Sequence, residues 1–430
     1  MMIVLAEKIG DKMKKNVWIL NHYATGQFYD KGGRHFWISE QLKKRGYAPV
    51  VFGASYLRTD ENKVDLEGKK FKVKKTGIGV PLIVVKVCSE KDGGIHRIKN
   101  MMDYYRNVQC AAKKYAEKYG KPDIIYASSV HPLALIAGEK LAKKYHVPCI
   151  CEVRDLWPET MVLMGIWKKN MLTNMMYMGE RWIYKKADAL VFTMEGAAEY
   201  IKSRKWDKAS GGPIDLNKIY HINNGVDLKR FMENVEKYSL NDDDLAEDGK
   251  FIVNYTGSIR AANSVDELVG AAQQLKELHN ERVKILIWGT GNYVENLCEL
   301  IRDSGLNNIK YKGMVKKAMI PSVLSQGDVN VYTFRDGGTK YGIDLNKCFE
   351  YLASGKPLIG NDDTLFSVIR KYDCGIEKKM NARELGEAID KISNMPVEEY
   401  ERLCKNASMA AEDYDFSVLT AKLIDIIEQL

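Results

Sequence analysis

The chain reads as α/β, two doubly wound parallel-sheet domains in tandem. Three observations predict this. Short apolar runs alternate with amphipathic helical stretches along most of the sequence, the pattern of a parallel sheet covered by helices on both faces. At 430 residues the chain exceeds one ordinary core, since domains run to about 100–200 residues. A polar, acidic segment with almost no periodic apolar face, "MENVEKYSLNDDDLAEDGK" at 232–250, separates two strand-helix series and reads as the linker between them.

In the first series the strands are "NVWILN" (16–21), "APVVFGA" (48–54), "DIIYASS" (123–129), "PCICEVRD" (148–155) and "ALVFTM" (189–194). These are the clearest of its short apolar runs. Helices such as "HFWISEQLKKRG" and "PLALIAGEKLAKKYH" lie between them. The second series runs "FIVNYTGSI" (251–259), "VKILIWGTG" (283–291), "IKYKGMV" (309–315), "VNVYTF" (329–334) and "PLIGN" (357–361). The last segment, "DFSVLTAKLIDIIEQL", is an amphipathic helix after an Asp/Ser start. The pattern divides the chain into domains at 1–235 and 250–412, with a helix at 413–430.

Composition narrows the function classes. The hydrophobic fraction of 45% and charged fraction of 28% are those of a globular protein with a full core. A net charge of +8 suits an anionic ligand or surface without requiring nucleic acid. The eight cysteines are scattered with no C-x-x-C pair, which predicts reduced thiols, a cytoplasmic setting and no metal site. No apolar run reaches the ~18 residues of a spanning helix. In "MMIVLAEKIGDKMKKN" the basic residues follow the apolar run, unlike a signal peptide, so this stretch is expected to be a tail before the first strand.

The chemistry concentrates in "KYGIDLNKCFEYLASGKPLIG", from Lys340. A turn at Gly342 precedes a helix expected to begin near Asn346, and the uncapped N–H groups of such a helix face the mouth of the sheet and attract anions. Lys347 adds a full charge there. Glu350 lies almost one turn on, where a carboxylate accepts from two adjacent hydroxyls. A diphosphate joined to a ribose presents both groups at that separation; an ordinary surface Lys/Glu pair at i, i+3 has the same spacing. Ser354-Gly355-Lys356-Pro357 stops the helix before a buried strand.

"NKCFEYLASGKPLIG" resembles the "NK-x-x-E/D-Y-x-A-x-GKP" donor-binding segment of the bacterial sugar transferases of glycosyltransferase family 4. "NHYATGQFYDKGGRHFWISEQLKKRGYAPVVFGAS", "EVRDLWPE", "INNGVDLKRF", "YTGSIRAANSVDELVGAA", "WGTGNYVENL" and "GMVKKAMIPSVLSQGDVNVY" resemble successive landmarks of the same family, over residues 16–428. The subgroup it most resembles adds amino or deoxy sugars to O-antigen, capsule or exopolysaccharide. The resemblance implies the GT-B fold: two Rossmann-like domains facing across a cleft, donor on the C-terminal one, acceptor on the N-terminal one, and a last helix crossing back. It also implies a metal-independent, retaining transfer with no cofactor besides the nucleotide sugar, with uridine as the expected base.

Carried onto this chain, Lys347 with the N–H groups of Asn346 and Cys348 holds the diphosphate and Glu350 the ribose. Gly257 and Ser258 approach the phosphates, and Gly313, Met314 and Val315 border the base. Many relatives carry Arg and Lys where this chain has Ser258 and Asn263; Arg260 is the available substitute. A family Glu eight residues before the ribose Glu is here Gly342, so recognition of the donor sugar is expected from the Asp344–Leu345 backbone.

In the first half, Gly32 and Gly33 follow the first strand and let backbone approach a ligand, with Arg34 and His35 the side chains expected nearest to it. "EVRDLWPE" puts Glu152, Arg154 and Asp155 at the C-terminal end of a strand. Asp155 is read either as contacting the reacting hydroxyl, with Arg154 offsetting charge on the leaving diphosphate, or as half of a buried ion pair. His131, at a helix start, is a further candidate for the same cleft.

Six of the eighteen methionines fall between Met161 and Met178, followed by "GERWIYKK". Such a mixture suits a peripheral face on an anionic membrane, with the basic helix Ile95 to Lys121 continuing it. It equally suits a core helix whose methionines fill gaps. The expected activity is transfer of a sugar to a glycan or polyprenyl-diphosphate-linked acceptor. The rivals are a GT-B nucleotide-sugar epimerase and a non-enzymatic two-domain sugar-binding protein.

Overall fold

A computed structural model describes residues 15–56, 64–89, 94–335, 340–342, 344–361 and 364–430. The N-terminal stretch expected to be a tail lies, up to residue 14, outside the described residues. The strands are β1 Asn16–Asn21, β2 Ala48–Ala54, β3 Phe71–Lys75, β4 Pro81–Val85, β5 Ile124–Ser128, β6 Cys149–Val153, β7 Ala189–Phe192, β8 Ile219–His221, β9 Phe251–Ser258, β10 Val283–Thr290, β11 Ile309–Gly313, β12 Val329–Tyr332, β13 Leu358–Gly360 and β14 Gly375–Glu377.

They form two sheets. The first has the order β3-β4-β2-β1-β5-β6-β7-β8, and the second β11-β10-β9-β12-β13-β14. Pairing is parallel from β4 through β6, and β3 runs antiparallel to β4. In the second sheet every recorded pairing is parallel. In such sheets ligands bind beyond the carboxyl ends of the strands where the winding reverses. Those points are β1/β5, registered Asn21 with Ser128, and β9/β12, registered Val253 with Val329. The architecture is that of two Rossmann-like domains.

Both sheets are fixed by burial. The central strands are buried along their length, as strands covered on both faces must be. In the first sheet Trp18 packs on Phe52, Tyr115 and Tyr145 with ring centroids 5.1–5.8 Å apart. The second sheet carries Val253, Tyr255, Ile285, Ile287 and Val331, all fully buried, against the helices Glu267–Glu277 and Ala382–Ser393.

By packing, unit 1 comprises the described residues up to 157 with 178–191 and 423–430; unit 2 comprises 158–177 and 192–422. The sequence pattern groups residues 192–235 with the first half, and β8 does lie in the first sheet, but by packing the segment is assigned to unit 2. The Gly196 N–H donates to the Tyr341 carbonyl at 2.9 Å, the Val226 N–H to that of Tyr414 at 3.1 Å, and Phe231 is buried with Phe349 and Tyr414. The supposed linker is also structural. Helix Leu228–Lys237 opens it, Leu245 is buried beside Ile252, Leu286 and Trp288, and Asp244 accepts from Lys284, Lys310 (2.6 Å) and Lys312. Its acidity answers three lysines on β10 and β11 rather than solvent. Burial raises the Asp244 carboxyl, and the lysines override it, holding it well below the ordinary range.

The final helix, Phe416–Gln429, enters unit 1 from Leu423 onward, where Lys15 Nζ donates to the Ile427 carbonyl at 2.5 Å and Tyr47 bonds to Glu428. Among the described residues no helix is long and apolar enough to cross a membrane.

Candidate functional site

In unit 2 the helix Asn346–Ala353 begins where the sequence places it, and no side chain caps its first turn. Tyr351 fastens it to β9: its hydroxyl accepts from the Thr256 N–H and donates to the Thr256 carbonyl, both at 2.9 Å. At the far end Asn330 Nδ2 donates to Ser354 Oγ at 2.9 Å and Gly355 takes φ +67°, which ends the helix. The Cys348 N–H donates back to the Leu345 carbonyl at 3.0 Å, so an anion here is met by the N–H groups of Asn346 and Lys347 rather than those of Asn346 and Cys348.

Lys347 lies over the Tyr255 ring, 4.4 Å from its centroid, with Nζ 3.2 Å from the Tyr255 hydroxyl. A side chain at Gly257 would put its Cβ 3.3 Å from Nζ, and φ +151° there already favours glycine. The next strand crowds the same corner: a Cβ on Gly289 would come within 1.8 Å of the Gly257 carbonyl oxygen, so backbone fills the space side chains take elsewhere. Among the described residues no carboxylate pairs with Lys347. Although part of its side chain reaches solvent, burial of the remainder pulls the ammonium down to about 7.

Glu350, one turn further on, is half-buried and has no hydrogen-bonding or ionic side-chain partner among the described residues. Burial pushes its carboxyl up, against a weaker opposing pull from Lys317. Lys347 and Glu350 are thus not an i, i+3 pair with each other, and among the described residues neither forms an ion pair. Such an arrangement costs stability unless a ligand completes it.

The other residues that the sequence assigns to a donor lie as follows. Ser258 is exposed at the end of β9, and its carbonyl accepts from Asn263 Nδ2 at 2.6 Å and from Tyr255 at 3.0 Å. Asn263 closes that turn instead of reaching outward. Arg260 is exposed and, among the described residues, has no acidic partner. Gly313 ends β11 with φ +80°, Met314 is 75% exposed, and Val315 packs beside Trp288. Asp344 is turned away from the helix mouth: both its oxygens accept from Asn224, at 2.7 Å, which ties the preceding loop to "INNGVD". Sequence reasoning missed Tyr255, Tyr351 and Gly289; a tyrosine on alternate residues of "NYTGS" and the glycines of "WGTG" were the signals available.

In unit 1 the picture differs from expectation. Arg34 and His35 are buried and turned to Glu152, not outward. Arg34 Nε and Nη2 lie 2.7 and 2.6 Å from Glu152 Oε2, His35 Nε2 lies 3.3 Å from Oε1, Ser128 donates to Oε1 at 2.7 Å, and Tyr126 donates as well. Burial raises the Glu152 carboxyl, but Arg34 and His35 outweigh it and hold it well below the usual range. Within "EVRDLWPE" Glu152 is thus part of a buried ion pair, while Asp155 is exposed on a small pocket with Ser129, Val153 and Trp157. The Arg154 N–H donates to Ser129 Oγ at 3.0 Å. Gly32 is buried and Gly33, at φ +117°, leads into helix Arg34–Lys44; a Cβ on Gly33 would press on Gln27 at 2.9 Å.

His131 is also interior. Its Nε2 is 2.9 Å from Nδ1 of His22, which follows β1, and burial takes its imidazole down to about 3, so the pair stays neutral. It sits at the β1/β5 reversal but below the surface. Elsewhere in unit 1, Glu139, Cys149 and Cys151 place ligand-type atoms within 4.8 Å of one another, with Cys151 donating to Glu139 at 3.3 Å. Contact with Cys149, burial and the Glu139 charge keep the Cys151 thiol protonated.

Two family models match in tandem: "Glycosyltransferase Family 4" over residues 38–230 and "Glycosyl transferases group 1" over 239–409. No curated protein matches. Among solved structures, the chain is similar to sucrose-phosphate synthase from Thermosynechococcus elongatus, with 17% identity, 97% of this chain and 99% of that one covered, and a TM-score of 0.69. It is similar to HepE of Anabaena in complex with UDP, at 15% identity, 96% and 100% coverage and a TM-score of 0.66. A third is the E. coli trehalose-6-phosphate protein bound with UDP-2-fluoro glucose, at 12% identity, 96% and 99% coverage and a TM-score of 0.70.

Proposed function

We propose that this chain, a glycosyltransferase of the GT-B fold by its two family matches, moves a sugar with retention from a UDP-sugar to a hydroxyl of a glycan or polyprenyl-diphosphate-linked acceptor in surface-polysaccharide synthesis. The carrying observation is the corner at the β9/β12 reversal: an uncapped helix start, then a half-buried lysine and, one turn on, a carboxylate, neither with an ionic partner among the described residues. A nucleoside diphosphate supplies what each lacks, since its phosphates meet Lys347 and the N–H groups of Asn346 and Lys347 while its ribose hydroxyls donate to Glu350. Two neighbours of like fold are described with UDP or a UDP-sugar derivative bound, which favours uridine.

In the reaction, the bond between the anomeric carbon and the diphosphate breaks as the acceptor oxygen bonds to that carbon. The acceptor proton passes to the departing diphosphate. Lys347 and the helix N–H groups stabilise the charge that grows on the diphosphate, with Gly257 leaving room for its approach and Arg260 free to swing towards it. No metal is assigned a part in this reading. On the acceptor side we assign Asp155, exposed, to the reacting hydroxyl and Arg154 to charge compensation. Arg34, His35 and His131 become positioning residues rather than ligand contacts.

The test is a thermal-shift panel with UDP, GDP, TDP, CMP and NAD in the presence of chelator, since a ligand that binds only the native state raises its melting temperature. A selective rise with one nucleoside diphosphate, lost in Glu350→Ala, is expected. No rise with any of them returns the chain to the sugar-binding reading.

A further inference from the structure

The helix Met171–Lys186 is built the wrong way round for a helix facing water. Its inward stripe is Thr173, Tyr177, Glu180 and Tyr184, all buried, and it is held by polar bonds: Tyr184 donates to Glu180 at 2.7 Å, Tyr177 to Glu159 at 2.5 Å, and the Arg204 guanidinium stacks 3.5 Å above the Tyr177 ring. The outward stripe, at the same spacing of four, three and four residues, is Met171, Met175, Met178 and Trp182, exposed by 81, 59, 71 and 44%. Leu172 and, in the loop before it, Ile166 extend the apolar surface. A methionine-rich helix in a core shows the opposite arrangement, which removes the gap-filling explanation.

Charge selects the occupant. The helix's one acidic residue, Glu180, points inward, whereas Lys168, Lys169, Arg181 and Lys186 around the outward stripe are all exposed. A second copy of the chain docking face to face would set lysine against lysine across a two-fold interface. Anionic headgroups beside an acyl layer match both features at once.

We propose that this outward face is an insertion surface for an anionic lipid bilayer, with Met171, Met175, Met178 and Trp182 entering the headgroup boundary and Lys168, Lys169, Arg181 and Lys186 held at the phosphate level. The proposal deepens the reading of a lipid-linked acceptor and rests on it for its purpose alone; the surface itself stands on the geometry of one helix.

The experiment is co-sedimentation of the full chain with vesicles of phosphatidylglycerol and phosphatidylcholine, beside vesicles of phosphatidylcholine alone, without donor or acceptor. Expected are binding to the anionic vesicles, a fall of roughly 10-fold or more in M175E/M178E with an unchanged melting temperature, and a loss of about 5-fold per lysine in K168A/K169A. A blue shift of emission on binding, absent in W182F, places that ring in the boundary. Should M175E/M178E melt early, M171Q/M175Q replaces it. No binding by the unaltered chain, binding indifferent to these substitutions, or a dimer in sedimentation velocity that M175E/M178E dissolves would each overturn the proposal, the last in favour of a second copy. Nucleotide shifts measured in parallel read the transfer assignment separately, so either can fail alone.

Discussion

Replacing Lys347 by methionine should make the free protein more stable. The ammonium's ordinary value of 10.5 falls to about 7 because of burial, with no acidic partner among the described residues to answer it. At about 1.36 kcal/mol per unit the full penalty on the charged form would be about 5 kcal/mol. Partial exposure screens it, and methionine forfeits the contact with the Tyr255 ring, so a net gain of about 2 kcal/mol is expected. For a unit of this size that is about 4–8 °C in melting temperature.

The pH dependence follows from proton counts. Below pH 7 both folded and unfolded Lys347 are protonated and the penalty is complete. Between about 7 and 10.5 the unfolded chain binds more protons than the folded one, so stability rises with pH and the advantage of Lys347→Met shrinks towards zero. Melting curves of both proteins at pH 6, 7, 8.5 and 10, with and without UDP, measure this. A variant that melts no higher at pH 7, or a gap constant across pH, refutes the argument that Lys347 is held uncompensated; a variant that still gains stability from UDP refutes its role in holding the diphosphate.

Two further outcomes follow. Nucleoside diphosphate binding should recharge Lys347, so calorimetry at pH 8 in buffers of different ionisation enthalpy should register uptake approaching one proton, and affinity should decline above pH 7; uptake near zero speaks against contact with the phosphates. Glu152→Gln should destabilise unit 1 by about 3–5 kcal/mol, because it leaves Arg34 buried and uncompensated, whereas Asp155→Asn should shift the melting temperature little and lower turnover. Equal thermal effects would contradict the contrast drawn between them.

The strands of both central sheets were legible because residues buried on two faces leave continuous apolar runs, as in "NVWILN" and "VKILIWGTG". Strands β3 and β4 were not named: β3, "FKVKK", as an antiparallel edge strand, is half-exposed and carries lysines, which read as loop, while β4, "PLIVV", was passed over although it is apolar and buried. The helix start at Asn346 was legible because its signals, the turn at Gly342 and the apolar run after Lys347, lie within a few residues. The unit 1 residues were misjudged because Arg34 and Glu152 are 118 positions apart, and nothing local says that a glycine-flanked arginine turns inward. The segment 232–250 failed for the same reason, its acidic residues answering lysines on β10 and β11.

The division of the chain also sets an order of events during synthesis. Unit 1 takes in Leu423–Leu430, which leave the ribosome about 230 residues after Val191. At ~5–20 residues per second, that is roughly 10–45 s during which the earlier part of unit 1 waits for the segment that Lys15 and Tyr47 grip. Translation, rather than the collapse of either sheet, would then time the maturation of the N-terminal half. Removing Leu423–Leu430 would therefore be felt first in strands made about 230 residues earlier.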